Sequence, residues 1–442
     1  MNTPANTAPA VKPHAAVPTP APRRAPAGPA TPHRLEGGPA ATGRPLRLCF
    51  VGLGNLPVVS PEHKRHGVGG EEVQHTLLAR ALVRRGFEVS MVVGDLGQPD
   101  GLVVDGITLH KAYGPHDGIP VLRFLHPRLT RLRAALQRAD ADVYYVSCAG
   151  MTLGVTVQHA ARHGKRVVFR IAHDRDCEPD NLLVKYWRDR KIYEWGLRRT
   201  DVILAQSVQQ QRALRQNYGL TSALAAMLVE PRQKPIAFAE RDIDVLWVNN
   251  IRNFKRPDLL LALAARLPQL SFHMIGGTQP GHEAQFHEIK ARAAALPNLH
   301  FHGLVPYHDV NGFYERARVF VNTSDSEGFP NSYLQAWRRG TPTVAFFDPD
   351  AVVARRGLGK TVSSMDDMAA EVERYARTEA PWQTTSDACL CFMDMHYGDD
   401  KVLAPYIEAF APALAHALAP ATASASADPR PVPARPAGQA SR

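Results

Sequence analysis

No apolar run in this 442-residue chain approaches the ~20 residues that carry a helix across a bilayer, so no membrane-spanning helix is expected. Cysteine is sparse: Cys49, Cys148, Cys177, Cys389 and Cys391 form an odd set without C-x-x-C spacing. That argues against a disulfide framework or a zinc knuckle and predicts reduced thiols. The first forty residues hold Arg23 and Arg24 but no apolar h-region, so they do not read as a secretory signal and a cytoplasmic location is expected. GLGNLPVVS follows the first apolar run and lacks the third glycine of a dinucleotide fingerprint, which argues against a dehydrogenase. RRM, KH, zinc-finger and basic-zipper patterns are also missing, so no nucleic acid partner is expected.

What is present is positive charge. A net charge of +10 favours anionic partners such as nucleotide phosphates or an anionic membrane face. Residues 1–42 and 419–442 are rich in Pro and Ala and lack hydrophobic periodicity; such segments bury too little apolar surface to offset their ordering entropy and are expected to be disordered tails.

Between the tails, short apolar runs alternate with helical stretches. LRLCFVGLG (46–54), FEVSMVVGD (87–95), DVYYVSC (142–148), RVVFRIA (166–172) and DVILAQS (201–207) read as strands, and 72–86 is a helix with Leu77, Leu78, Ala81 and Leu82 on one face. The pattern restarts at IDVLWVN (243–249), continues through LSFHMIGG (270–277), which ends at Gly276 and Gly277, and then through LHFHGLV (299–305), VFVNT (319–323) and TVAFF (343–347). The expected fold class is therefore α/β, two Rossmann-like doubly wound domains facing a cleft. The first spans 43–235 and the second 236–385, followed by a helical segment over 386–418.

The stretch richest in chemistry is SDSEGFPNSYLQAWRRGTPTV (324–344). A strand ends, an acidic residue and a Gly-Phe-Pro turn follow, and a helix opens near Asn331 and Ser332. The unpaired N–H groups of that helix start suit a diphosphate, and Glu327 before it suits sugar hydroxyls. On its own the pattern also fits a plain strand–turn–helix with a solvated glutamate.

The second half resembles the family-4 retaining glycosyltransferases of the GT-B fold. Glu327, Gly328, Phe329, Pro330 and Asn331, then Ala336, Gly340, Thr341, Pro342 and Val344, agree with the family pattern over about eighteen positions. The resemblance covers roughly 45–415 and implies a nucleotide-sugar donor, a saccharide or lipid-linked acceptor, and transfer with retention of configuration, in cell-surface polysaccharide or glycolipid synthesis. It implies that Gly328, Phe329, Pro330, Asn331 and Ser332 line the donor site, with Gly276 at a strand end of the same domain. Lys255, in VNNIRNFKRPDLLL (248–261), would neutralise the leaving diphosphate. The family's second acidic residue, which holds the ribose, is replaced by Gln335, which keeps one acceptor oxygen and cannot serve as a base. The family's arginine is replaced by Asn250, which leaves Arg252 as the nearest guanidinium. In the first half, HGVGGEEVQHTLLARALVRRGFEV (66–89) is similar to the family's glycine-rich loop, with Gly69 and Gly70 open to a phosphate or sugar. VVFRIAHDRD (167–176) would set His173 at a strand end, in reach of a sugar hydroxyl. A bare turn and a structural histidine are the alternatives for these two.

No metal or other cofactor is expected. The D-x-D strings Asp174–Asp176 and Asp348–Asp350 invite a divalent-ion reading, but Lys255 and a helix start supply positive charge at the diphosphate. The stretch 119–138 carries Arg123, Arg128, Arg131, Arg133 and Arg138 without an acidic residue, and leucines at helical spacing. It reads either as a basic amphipathic helix on an anionic membrane, making the protein peripheral there, or as a core helix with a solvated basic face. Gln335 and Asn250 leave a second reading of the whole chain: a catalytically weak, glycosyltransferase-like binding or scaffold protein.

Overall fold

The structure is a computed structural model that describes residues 45–410 except 64–68, 121, 231–234 and 279–280. The two tails lie outside the described residues. Among the described residues, fourteen strands form two sheets. In the first half they are β1 (Arg47–Val51), β2 (Glu88–Val93), β3 (Leu102–Val104), β4 (Ile107–Lys111), β5 (Val143–Ser147), β6 (Arg166–Arg170), β7 (Val202–Ala205) and β8 (Ala223–Leu224). In the second half they are β9 (Ile243–Val248), β10 (Phe272–Ile275), β11 (Leu299–Gly303), β12 (Ala317–Asn322), β13 (Thr343–Ala345) and β14 (Gly359–Thr361).

The first sheet has the order β3-β4-β2-β1-β5-β6-β7-β8 and the second β11-β10-β9-β12-β13-β14. All pairs are parallel except β3 with β4. Parallel strands are covered on both faces, which is why VYYVS of β5 is buried at every position and reads as a continuous apolar run. The edge hairpin of β3 and β4 is short and half-exposed, and hydrophobic runs give no warning of it.

Helix Gly70–Arg84 packs Val73, Leu78, Ala81 and Leu82 inward and stops where Gly86 takes φ +81°. The boundary expected at 385 falls inside helix Glu379–His396, so the second domain has no break there. The last described helix, Asp399–Phe410, returns to the first domain, where Tyr406 and Phe410 pack edge-on to Tyr145 and the Tyr406 hydroxyl donates to the Ala226 carbonyl at 2.9 Å. Among the described residues, no helix is long and apolar enough to cross a membrane.

The single amphipathic helix expected over 119–138 is corrected. His126 has extended dihedrals and Pro127 follows it, so regular helix is confined to Thr130–Ala139 beyond the break. On that helix Leu132, Ala135 and Leu136 are fully buried, and its apolar face is core, not a membrane face.

Candidate active site

In an open parallel sheet, ligands bind at the carboxyl ends of the strands where the strand order reverses. In the second sheet that point lies between β9 and β12. The turn Asn253–Lys255 follows β9, and Glu327 follows β12. There the Lys255 ammonium donates to both Glu327 carboxylate oxygens, with both side chains largely buried. The Ser324 hydroxyl donates to the same carboxylate at 2.7 Å. Fully buried Trp247 donates to Thr323 Oγ1 at 2.9 Å, and that hydroxyl shares its proton between the Lys255 and Arg256 carbonyls at 2.8 and 2.9 Å. The Asp325 N–H donates to the Phe254 carbonyl at 2.9 Å. The two loops are thus sewn to each other, and the pair's geometry is set by the sheet beneath. Arg252 heads the Asn253–Lys255 turn and is half-buried.

The first domain supplies His173 just beyond β6. Its Nδ1 accepts the Arg175 N–H at 3.1 Å, which leaves the proton on Nε2. That Nε2 is buried without a partner. Burial holds the imidazole down at about 4, with the nearby Glu327 charge pulling it up and Lys255 pushing it down. The ring stands edge-on to Phe254, 6.0 Å between centroids. A neutral imidazole with one free N–H therefore confronts the lysine–carboxylate pair across the cleft, suited to a hydroxyl oxygen.

The loop that follows Glu327 ties the two domains together. A Cβ on Gly328 would lie 2.5 Å from the Ala172 carbonyl oxygen of the first domain, so only glycine allows this approach. The Phe329 N–H donates to Gln206 Oε1 at 2.9 Å. Helix Asn331–Arg338 opens after Pro330 with no side-chain cap, and Ser332 in its first turn is buried. Asn331 is turned to the other domain: its amide donates to the Gly70 carbonyl at 2.7 Å and its oxygen accepts from Gln74 at 3.0 Å. Gly69 precedes helix Gly70–Arg84, and Glu72 sits over it. Gly276 lies tight against the Asn249 carbonyl at the end of β10, so packing within the sheet accounts for this glycine.

Gln335 does not stand alone. Its amide donates to Asn311 Oδ1 at 3.3 Å, and Asn311 donates onward to the Glu230 carboxylate. Arg339 joins them, 4.0 Å from Glu230 and 3.2 Å from Glu315. A carboxylate therefore lies one residue removed from the place where the family carries one. Sequence patterning missed Glu230 and Asn311, because neither belongs to a motif.

It also missed the residues that hold His173. The Asp176 carboxylate accepts the Ala172 and His173 N–H groups at 2.9 and 3.1 Å. Gln206 bridges the domains, its amide donating to the Ile171 carbonyl at 2.9 Å while its oxygen takes the Phe329 N–H. Beside the helix Gly70–Arg84 start, buried Arg170 pairs with Glu71 at 3.2 Å and His75 with Glu71 at 3.1 Å. Burial pushes the Glu71 carboxyl up, but the Arg170 and His75 contributions outweigh it and hold it at about 2.

The two D-x-D strings are engaged with protein groups. Asp174 accepts from Gln210 at 3.0 Å and Asp176 from backbone as above. Asp348 accepts the Val353 and Ala354 N–H groups and the Thr361 hydroxyl. Asp350 takes the Val208 and Gln209 N–H groups of the first domain at 2.8 and 3.1 Å. These four carboxylates act as caps and interdomain ties.

Two doubly wound domains with a lysine–glutamate pair at the second switch point and a histidine facing it define the GT-B class of architecture. Family profiles agree in both halves: residues 69–229 match the glycosyl transferase 4-like domain and 242–377 match glycosyl transferases group 1, together roughly two thirds of the chain. The chain belongs to the group 1 glycosyltransferases. Over 149 residues it is 29% identical to the O-antigen biosynthesis glycosyltransferase WbnH of Escherichia coli, a match covering 33% of this chain and 41% of the relative's length. Sucrose-phosphate synthase of Thermosynechococcus elongatus superposes with a TM-score of 0.63 at 18% identity, covering 85% of this chain and 98% of that one. HepE of Anabaena, solved with UDP and glucose, gives 0.60 at 14% identity, covering 82% and 98%. At such identity these likenesses establish the fold.

Proposed function

We propose that the protein transfers a sugar from a nucleotide-sugar donor to a saccharide or lipid-linked acceptor, with retention of configuration, in the synthesis of a surface polysaccharide or glycolipid. The observation that carries this reading is the buried Lys255–Glu327 pair facing the unpartnered Nε2–H of His173. The bond between the sugar's anomeric carbon and the diphosphate breaks with the electron pair leaving on phosphate. Lys255 meets that developing negative charge, helped by the uncapped start of helix Asn331–Arg338 and by Arg252. Glu327, released from sole attention to Lys255, accepts from sugar hydroxyls, and His173 donates to another. The acceptor oxygen bonds to the anomeric carbon on the face the diphosphate leaves, and its proton passes to the departing phosphate. Positioning and electrostatics are the protein's whole contribution here.

WbnH is named for O-antigen biosynthesis and HepE was solved with UDP, so uridine diphosphate sugars head the set to test. The test is calorimetry against a sugar-nucleotide panel with product mass and anomeric configuration read by NMR. Binding and turnover of one donor, both abolished in Glu327→Ala, are expected. Donor binding with no transfer to any acceptor and no hydrolysis would favour the scaffold reading instead.

A further inference from the structure

The Asn253–Lys255 turn has two sides. On one, Lys255 meets Glu327 and the Phe254 ring stands edge-on to His173. On the other, Asn253, Arg256 and Asp258 form one wall of a cavity of about 470 Å³. The facing wall is helix Glu283–Ala294, which follows β10 and lines the cavity with Gln285, Glu288, Ile289 and Arg292. These four fall at i, i+3, i+4 and i+7 and so share one helix face. Asp325, just before Glu327 in the chain, completes the lining. The volume lies in the range of small-ligand sites.

The walls are polar, and their charges are already balanced. The Arg256 guanidinium pairs with Asp258 at 2.9 Å and with Asp325 at 3.4 Å, and Arg292 pairs with Glu288 at 3.2 Å. Three carboxylates against two guanidiniums leave no surplus of positive charge for a phosphate. They leave planar groups held in place, with acceptor lone pairs and N–H groups to spare. Buried Ile289 adds an apolar patch among them. Gln285 Oε1 is buried with no hydrogen-bond partner, an acceptor that the chain itself does not satisfy. Arg256 holds φ +48°, a left-handed conformation that a residue with a side chain adopts at a cost. That cost falls on the residue whose guanidinium reaches both Asp258 and Asp325.

We propose that this cavity is a subsite for an uncharged sugar residue of the acceptor, an inference that rests on the reading of a saccharide acceptor given above. Vicinal hydroxyls donate to the carboxylates and to Gln285 Oε1 and accept from the guanidiniums and the Asn253 amide, while a C–H face of the ring lies on Ile289. The walls are continuous with the loops that deliver the lysine–glutamate pair. The Thr323 hydroxyl donates to the Arg256 carbonyl at 2.9 Å, and the Asp325 N–H to the Phe254 carbonyl at 2.9 Å. A sugar held here is therefore fixed in position relative to Lys255 and Glu327. An acceptor of two or more sugar residues gains binding energy away from the reacting hydroxyl, and a monosaccharide does not.

The test is saturation-transfer NMR of the full chain, without donor, against maltose, lactose, cellobiose and N,N′-diacetylchitobiose. Saturable binding of at least one of these disaccharides is expected. Gln285→Trp, which fills the cavity, and Glu288→Ala/Arg292→Ala should each weaken that binding at least about tenfold. Glu288 and Arg292 are exposed on their helix, so the double variant should unfold as wild type does. Binding of none of the disaccharides overturns the proposal, as does wild-type affinity in both variants. Pyrophosphate binding that is lost in the same variants also overturns it, since the cavity is then an anion site. Calorimetric donor binding should be unchanged in both variants. Disaccharide binding without donor binding sinks the transferase reading alone, and donor binding without disaccharide binding sinks this subsite alone.

Discussion

Lys255 and Glu327, seventy-two residues apart in the chain, share one buried ion pair in which the ammonium bonds both carboxylate oxygens. Each is delivered by its own loop, one after β9 and one after β12, on either side of the point where the strand order of the second sheet reverses. Lysine balances the carboxylate in the free protein. On the proposed function, a diphosphate arriving there would compete for that lysine and free glutamate oxygens for hydroxyls.

Removing either partner strands the other away from water. Lys255→Met and Glu327→Ala should each lower donor turnover at least about 100-fold. Each should also cost on the order of 3 kcal/mol of stability, whereas Lys255→Met/Glu327→Gln should regain part of that because no charge is left unpaired. Urea midpoints across this cycle, with kcat measured on the same preparations, check both statements. Equal stability of all variants would mean that the pair is solvated and loose.

Gly328→Ala places a methyl 2.5 Å from a backbone oxygen of the opposite domain, which cannot swing aside as a side chain can. Each domain keeps an apolar core of its own beside the one that the two share, so melting should change little. Closure should suffer, lowering kcat/KM about tenfold or more through misplacement of the two halves of the site. Small-angle scattering of the variant should show a wider particle than wild type.

Gln206 touches the His173 loop with its amide and the loop after Glu327 with its oxygen. Gln206→Leu is expected to raise the donor KM and weaken donor binding by calorimetry while leaving thermal unfolding within about 1 kcal/mol of wild type. A merely structural glutamine would give the reverse: lower stability with an unchanged KM.

Gln335→Glu restores the residue type usual in the family, yet the neighbourhood is built for an amide. Asn311 offers its oxygen to Gln335 because its own amide is committed to Glu230. A carboxylate at 335 would face that oxygen and lose the bond, so the variant should be about 1 kcal/mol less stable and bind donor no better than wild type. Tighter binding in Gln335→Glu would show that Asn311 reorients freely.

The His173 imidazole, ordinarily near 6.5, is held at about 4, so it is neutral across neutral and mildly acidic pH. Its folded pKa lies below its unfolded one, so the unfolded chain takes up the proton first on acidification. The stability tied to a neutral His173 is complete above 6.5 and drains away as pH falls towards 4. Asp174 and Asp176, both pushed up to about 6 by burial, run the opposite way: the stability they withhold at neutral pH returns as pH falls below 6. The stability difference between wild type and His173→Asn should therefore shrink between pH 6.5 and 4 in urea titrations, even where the total curve is flat. A difference independent of pH would place the imidazole in open solvent.

Much of this protein could be read from residues alone, because its elements are local and its sheets parallel. Runs such as VYYVS and IDVLWV are apolar at nearly every position for the same reason that their strands are covered on both faces. The Glu327-Gly328-Phe329 loop and Lys255 were legible because each follows a recognisable strand, and a strand's carboxyl end fixes which edge of the sheet a residue occupies. Spacing could not show that the lysine meets the glutamate, since that contact depends on strand order, which no run of residues encodes. Nor could it show Gln206, Asn311 or Glu230, whose partners lie scores of residues away and whose types carry no periodicity.

The stretch 119–138 marks the limit most clearly. Its leucines and arginines were set by the sequence, and with them the capacity for an amphipathic surface. Which leucines face water was settled only by packing: beyond Pro127 the sheet claims Leu132 and Leu136, while before it Phe124 is drawn inward under Arg188 and Leu122 and Leu125 are left outside. Hydrophobic residues state a need for burial, and tertiary structure decides which of them find it within the chain.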